Sequence, residues 1–534
     1  MDSNENIEKT SDKNFPKAGK KEWIGLAVLA LPCLLYSMDL TVLILAIPQL
    51  SADLQPSGSE LLWIIDIYGF LVAGMLITMG TLGDRIGRRK LLFIGATFFG
   101  IASILAAFST SSHMLIVTRA ILGLAGATIA PSTLSLLRNM FHDPKQRSMA
   151  IGVWITSYSI GGLIGPVVGG VMIEYFWWGS VFLLSVPVMV LILILGPYLL
   201  PEFKDPNAGK IDILSAALSI GAVLSIIFGI KRSAEFGFDI MAGMSILIGL
   251  VIGAIFIHRQ KMISNPLIDL NLFRDRAFSS ALVAYMLSTF TAFGAFIFTA
   301  QYLQLVLGLT PLEAGIYSIP SSFGFIAGAM LSPILARRIK PAYLMGAGFI
   351  IAAIGSLILA QVGSHPGVWT IVIASGVSAL GMAPVVTLTT DIIIGTAPAE
   401  KAGAASGISE TCAEFGGASG IAILGSISTA VYRLVVSDKM PAGIPTEAGE
   451  TIKSTLGGAI QYASELENTV LAGELIVAAQ MAFTSAVETI AYISAVLAIA
   501  TAIMTVITLR KVRPSSERPV DLPELPGETQ PKTL

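Results

Sequence analysis

The sequence predicts an all-α polytopic membrane protein with fourteen transmembrane helices, and three observations carry that reading. Hydrophobic residues make up 54% of the 534-residue chain, charged residues only 13%, and the mean hydropathy is +0.78, far above the apolar share of a water-soluble domain. Windows of about 20 mainly apolar residues, each long enough to cross a bilayer, recur from Trp23 to Leu509. Of the 33 lysines and arginines, 27 fall on one alternating set of loops and tails. The other set carries Lys231, Arg232, Arg433, Lys439 and Lys453, and Arg119 lies inside a span. That bias is the positive-inside pattern of a chain with both termini in the cytoplasm.

The polar stretch Met1–Lys21 lacks the apolar core of a signal peptide, so the first span is expected to stay in the mature protein. Spans are expected at 23–47, 61–82, 91–109, 113–137, 148–173, 178–200, 211–230, 239–257, 278–304, 312–336, 343–362, 368–392, 402–432 and 484–509. They divide the chain into a cytoplasmic tail (1–22), a six-helix bundle (23–200), two inserted helices with flanking loops (201–277), a second six-helix bundle (278–510) and a cytoplasmic tail (511–534). The halves are suggested by basic loops after the second span of each, Asp84–Lys90 and Arg337–Lys340. Paired halves around a midplane site are a common secondary-transporter plan. The longest loop, 433–483, is expected outside the cell, and its apolar residues have helical spacing without the length to span. It is either a helical hairpin over the exit or a solvated loop with partial helix.

Several function classes are excluded. No GxxxxGK[ST] phosphate loop occurs and the basic-side loops are too short for a nucleotide-binding domain, so neither nucleotide nor nucleic acid is an expected partner. Cys33 and Cys412, the only cysteines, each sit inside an apolar span and read as packing residues rather than a disulfide or metal site. No metal, cofactor or catalytic constellation is expected, and an enzyme is the poorest reading. An ion gradient is then the expected energy source.

Six strings carry a resemblance. "GTLGDRIGRRK", Gly80 to Lys90, matches the loop signature GxLaDrxGrr of the major facilitator superfamily through Gly80, Gly83, Asp84, Arg85, Gly87 and Arg88. "GGLIGPVVGG", with Gly161, Gly165, Pro166, Gly169 and Gly170, matches the antiporter signature of the fifth span, and "TRAILGLAGA" holds Arg119 in the fourth. "MDLTVLILAIP", Met38 to Pro48, resembles the first-helix motif of the 14-helix drug:proton antiporters, and "LGLTPLEAGIYSIP", Leu307 to Pro320, is similar to that branch too. Asp66 within "SELLWIIDIYGF" resembles the quaternary-ammonium and multidrug exporters in particular; Ile44, where the wider family often has asparagine, agrees with that branch. The resemblance implies two six-helix bundles plus two inserted helices in a bacterial cytoplasmic membrane, working as a monomer. It also implies that Arg119 takes part in proton coupling, although a fixed structural ion pair explains it nearly as well. Span 10 has Phe323 and Phe325 at its centre and no interior acid, unlike some relatives thought to handle divalent cations, so monovalent cargo is expected.

The chemistry rests on buried charge. A charged side chain near the bilayer centre costs about 2.5–3.5 kcal/mol on insertion scales, so it needs a task or a partner. Four carboxylates stand out: Asp39, Asp66, Glu410 and Glu414, the last two four residues apart on one helical face. Asp391, Glu174 and Glu488 lie near expected span ends and read as surface groups. Low dielectric raises a carboxyl's pKa toward physiological pH and a nearby cation lowers it again, so proton and cationic cargo compete for one group. Tyr36, Met38, Phe290, Phe293, Tyr302 and Phe415 are expected cavity residues, since aromatic faces and thioethers suit varied lipophilic cations. The expected function is proton-coupled export of lipophilic organic cations. The alternative on the same fold is export of neutral or anionic metabolites, lipids or peptides.

Overall fold

The computed structural model describes residues 17–514 apart from 57, 205–211, 237–238, 264–265, 310, 366, 442–443, 446–448, 450–451, 454 and 467. The described residues are 86% helical with no strand among them, and fourteen of their helices are long and apolar enough to cross a membrane. In chain order the first half comprises α1 (Lys20–Leu54), α2 (Gly58–Ile86), α3 (Arg88–Ala107), α4 (Ser112–Gly126), α5 (Ile129–Met140), α6 (Pro144–Tyr175), α7 (Ser180–Leu183) and α8 (Ser185–Leu199). Two of its spans are broken: α4 with α5 forms the fourth, and α7 with α8 the sixth. The inserted pair is α9 (Ile213–Phe236) and α10 (Ile240–Met262). The second half comprises α11 (Arg276–Gln301), α12 (Pro311–Leu335), α13 (Pro341–Leu359), α14 (Val368–Thr396), α15 (Ala402–Lys439), a short α16 (Leu456–Glu465) and α17 (Thr469–Leu509).

The halves repeat one packing device. In the first, α1 lies along α6: a methyl on Gly161 would collide with the Leu34 carbonyl, and one on Gly169 would come 2.7 Å from Val42. In the second, α11 lies along α15, where Gly416 and Gly420 face the carbonyls of Met286 and Phe290 just as closely. Likewise α2 meets α4 at Gly123, where an added methyl would come 2.6 Å from the Tyr68 carbonyl, and α12 meets α14 at Gly324 and Gly328, where one would come 2.7 Å from a carbonyl of α14. With no hydrophobic drive between helices in lipid, close approach at glycine supplies the packing. Corresponding pairs of helices, counted from the start of each half, thus approach each other through glycine.

The inserted pair forms a hairpin packed at Gly229 and Gly249 and clamped by an ion pair at each end: Asp212–Arg259 at 2.6 Å and Arg232–Asp239 at 2.7 Å. Hydrogen bonding from Arg259, with help from Ser215, pulls the Asp212 carboxyl down to about 2. Its folded pKa thus lies below the unfolded value of about 3.9. The linkage contribution is therefore complete above the unfolded value and fades as pH falls through 3.9 toward 2. Asp212→Asn should accordingly lower the melting temperature by a small margin that stays constant above pH ~4 and vanishes between about 4 and 2. Thermal scans of both proteins across that range test the assignment; a margin that changed near neutral pH would contradict it.

The segment beyond Arg433 is more helical than its sequence suggests. α15 continues to Lys439, and the last helix starts at Thr469, capped by the Asn468 carboxamide, so residues 469–483 extend the final span instead of belonging to a loop. Leu456, Ala459 and Ala463 of α16 bury against Leu475, Ala479 and Ala482 of α17, and the Tyr432 hydroxyl donates to the Ile452 carbonyl. Amphipathic helices that are too short or polar to span gain their stability from each other.

Candidate functional site

Two regions join the halves. At the end of the bundle where α2 meets α3, Gly87 has φ of 113°, a left-handed conformation open to glycine, and it reverses the chain so that Arg88 turns back on Asp84. Arg88 is fully buried; its Nε donates to Asp84 at 2.9 Å and its Nη2 donates across the seam to the Glu400 carbonyl at 3.1 Å. Asp84 in turn accepts from the backbone N–H groups of Gly403 and Ala404 at 3.0 and 2.9 Å, at the start of α15. A carboxylate there complements both the helix N-terminus and its unpaired amides. Lys401 reaches Asp269 at 2.6 Å, Thr81 donates to the Leu267 carbonyl at 2.9 Å, and Arg85 donates to the Pro266 carbonyl at 3.5 Å. Arg89 instead faces its own half, pairing with Glu202 at 3.7 Å and donating to the Leu200 carbonyl at 2.9 Å.

The same end carries a second tie that the sequence reading missed. Asp391 is 1% exposed and faces Arg147 of α6 at 3.6 Å, joining the halves through α14. It reads as a surface acid only if its helix ends nearby, whereas α14 runs on to Thr396. Nearby, a methyl on Gly152 of α6 would come 3.0 Å from the Ala329 carbonyl of α12.

Bare glycines make this closure possible. A methyl on Gly80 would collide with the Gly403 carbonyl, and one on Gly407 would come 2.5 Å from the Leu76 carbonyl. Overpacking typically costs about 1–3 kcal/mol, which shifts a two-state closure about tenfold. Gly80→Val should therefore lower, about tenfold, the cross-linking yield between cysteines placed at the facing ends of α2 and α15 in a background free of native cysteine. An undiminished yield would mean that the crossing is not tight.

Near the middle of the bundle lies a cluster of acids and aromatic rings. Glu414 is twelve residues into α15, or roughly 18 Å from its start, and accepts from the Tyr36 hydroxyl of α1 at 3.4 Å. Glu410 lies one turn closer to the Asp84 end. Its Oε1 is buried with no hydrogen-bond partner among the described residues, and the carboxyl lies within electrostatic range of Tyr36, Tyr158 and Tyr285. The rings touch: Tyr36 to Tyr68 and to Tyr158 at 5.9 Å each, and Tyr158 to Trp154 at 4.9 Å. Both halves therefore contribute, the first with rings from α1, α2 and α6, the second with Tyr285 of α11 and both acids.

Asp39 stands apart from this pair. Its carboxylate meets Arg119 at 2.6 Å; Arg119, 1% exposed, also donates to the Ile64 carbonyl at 3.1 Å and stacks over Tyr68 at 4.8 Å. Met38 and Asp39 line a small cavity of about 20 Å³ bounded by Phe99, Val181 and Phe182, away from the face that Tyr36 presents to Glu414. Tyr68 is the physical link between the two groups, with Arg119 on one side and Tyr36 on the other.

The remaining expectations divide. Phe415 packs with Ala73, Val223 and Ile227 beside Glu414, whereas Tyr302 is buried in a π-helical turn at the far end, among the residues under α16, and does not join the acids. Phe290 packs at that end also, and Phe293 is half exposed against Gly417. Gly165 is buried in α6, and a methyl on Gly170 would meet nothing within 4 Å. The side chains of Asp66 and Pro166 lie outside the described residues. Tyr68, Trp154, Tyr158 and Tyr285 were not read from the sequence. The available signals were spacing alone: Tyr68 two residues after Asp66, and Trp154 and Tyr158 four apart just before Gly161.

Comparisons with known proteins agree with this architecture. The profile of the Major Facilitator Superfamily matches residues 29–421. The chain is 40% identical to the multidrug efflux pump LfrA of Mycolicibacterium smegmatis over 92% of its own length and 97% of that protein's. It is 36% identical to the methyl viologen resistance protein SmvA of Salmonella typhimurium, covering 84% and 90% of the two chains. Among solved structures, that of the human organic anion transporter MFSD10 superposes with a TM-score of 0.58 over 89% of this chain and 98% of that one, at 14% identity, which is a likeness of fold.

Proposed function

From the premise that the chain belongs to the major facilitator superfamily, whose curated relatives here are drug efflux proteins, we propose that it exports lipophilic monovalent organic cations in exchange for protons. The carrying observation is the placement of Glu410 and Glu414 at the seam between the halves, walled by Tyr36, Tyr68, Trp154, Tyr158 and Tyr285. A carboxylate oxygen buried without a partner carries a desolvation cost that a proton or a cation relieves. Aromatic faces attract cations at about 0.5–2 kcal/mol each without demanding one shape. One site that accepts either proton or cargo, and not both, exchanges them.

The closed Asp84 end supports a state open toward the other side. We place that closed end, with both termini, in the cytoplasm of a bacterial cell, because the basic loops gather there. Breaking the contacts of Asp84 with Gly403 and Ala404, of Arg88 with Glu400 and of Arg147 with Asp391 would open the site to the cytoplasm for cargo; rebuilding them commits it outward. The thermodynamics favour two protons per cargo. Exchange of one proton for one monovalent cation moves no net charge, so a unit pH gradient supplies only about 1.36 kcal/mol. Two protons bring in the membrane potential as well, for a total of about 5 kcal/mol, and Glu410 and Glu414 are the acids of the aromatic cluster among the described residues.

The test is uptake of tetraphenylphosphonium into proteoliposomes under an imposed pH gradient. Uphill accumulation that a protonophore collapses, with a current that reverses with the gradient, is expected. Accumulation indifferent to the protonophore, or selective transport of neutral and anionic compounds, would overturn the proposal.

A further inference from the structure

The inserted hairpin places a positive charge beside the cargo site. Lys231 falls on a loop in the sequence reading, but α9 runs on to Phe236, and Lys231 is half-buried on it. Its ammonium sits 4.6 Å from the centroid of the Phe70 ring, and Phe70 touches Phe228 and Trp63 at 6.5 and 6.4 Å. The helix is seated by Val223 and Ile227 against Ala73 and Phe415, and by Leu224 against Gly74. This seam between α2 and α15 holds Glu414, and Lys231 is close enough to act on its carboxylate electrostatically. A cation on an aromatic face within reach of Glu414 is what the proposed cargo would also be.

We infer that Lys231 is a tethered cation that competes with cargo for the Phe70 face and the field of Glu414, which makes it a specificity-determining residue of the exporter. The inference rests on the cation-export reading above. When the site is empty, the tethered ammonium partly neutralises Glu414 and covers the Phe70 face. Incoming cargo must displace it, and its return helps to expel cargo on the open side. Among the described residues the charged groups around it are Glu414 on α15 and Arg232, which is engaged with Asp239. The inserted pair would thus supply a built-in competitor as well as bulk at the seam.

Competition predicts a paired change that misfolding does not produce. In full-length protein in proteoliposomes, Lys231→Gln should lower both the KM and the kcat for tetraphenylphosphonium about fivefold to tenfold, leaving kcat/KM nearly unchanged. Lys231→Arg, which keeps the charge, should behave like the unaltered protein. In detergent, tetraphenylphosphonium should bind Lys231→Gln more tightly by a similar factor. An unchanged or raised KM in Lys231→Gln, or Lys231→Arg behaving as Lys231→Gln does, would overturn the inference. Failure of the unaltered protein to bind tetraphenylphosphonium would instead overturn the cation-export reading, and this inference with it.

Discussion

Glu414→Gln is expected to reduce pH-gradient-driven accumulation of tetraphenylphosphonium by at least about a hundredfold. A carboxylate about 4 Å from a monovalent cation contributes about 4 kcal/mol at an effective dielectric of 20, and losing even two-thirds of that reduces binding about a hundredfold. The amide also cannot release a proton when cargo arrives, so both arms of the exchange fail together. Tyr36 can still donate to the amide oxygen at the position it now occupies, so the variant should fold and melt normally. Glu410→Gln should behave differently, because Glu410 lies one turn closer to the Asp84 end and has no hydrogen bond to Tyr36 in this structure. Transport should persist, but with one proton per cycle it should become electroneutral and lose its response to membrane potential. Initial uptake rates at fixed pH gradient with varied potential separate the two cases. Full potential-driven export by the double variant would rule out both acids as the shared site.

How far these features could be read from sequence depends on what sequence encodes. The fourteen spans were legible because a bilayer demands about 20 apolar residues each, and all fourteen are found. The Asp84–Arg88 brace was legible because its spacing is local: four residues on one strand of chain, with Gly87 setting the reversal. What sequence leaves open is the direction in which a buried side chain points. Asp39 and Tyr36 are three residues apart on α1, yet one meets Arg119 and the other Glu414. Helix ends were the second weakness. Lys231 and Asp391 both read as loop or surface groups because the apolar runs fade before the helices do, and both lie in seams that involve α2, α6, α14 and α15.

Removing Arg119 should have the largest effect on stability. Arg119→Met leaves the largely buried Asp39 carboxyl without its counter-ion, an arrangement that costs about 3–5 kcal/mol when one partner of a buried pair is lost. The cost arises from the stranded charge rather than from the missing contact. Converting Asp39 to Asn in the same chain should therefore recover most of the loss, since a buried pair replaced by neutral groups is often nearly neutral in stability. Function should part company with stability in the double variant. Arg119 stacks on Tyr68, whose ring touches Tyr36 and through it reaches Glu414. The ion pair is therefore placed to sense whether Glu414 is charged, and a neutral pair cannot. We expect the double variant to melt close to the unaltered protein and to catalyse tetraphenylphosphonium exchange without a gradient, while gradient-driven accumulation remains at least about tenfold reduced. Recovery of driven accumulation along with stability would show that the pair serves only to hold α1, α2 and α4 together, and that coupling resides in Glu410 and Glu414 alone.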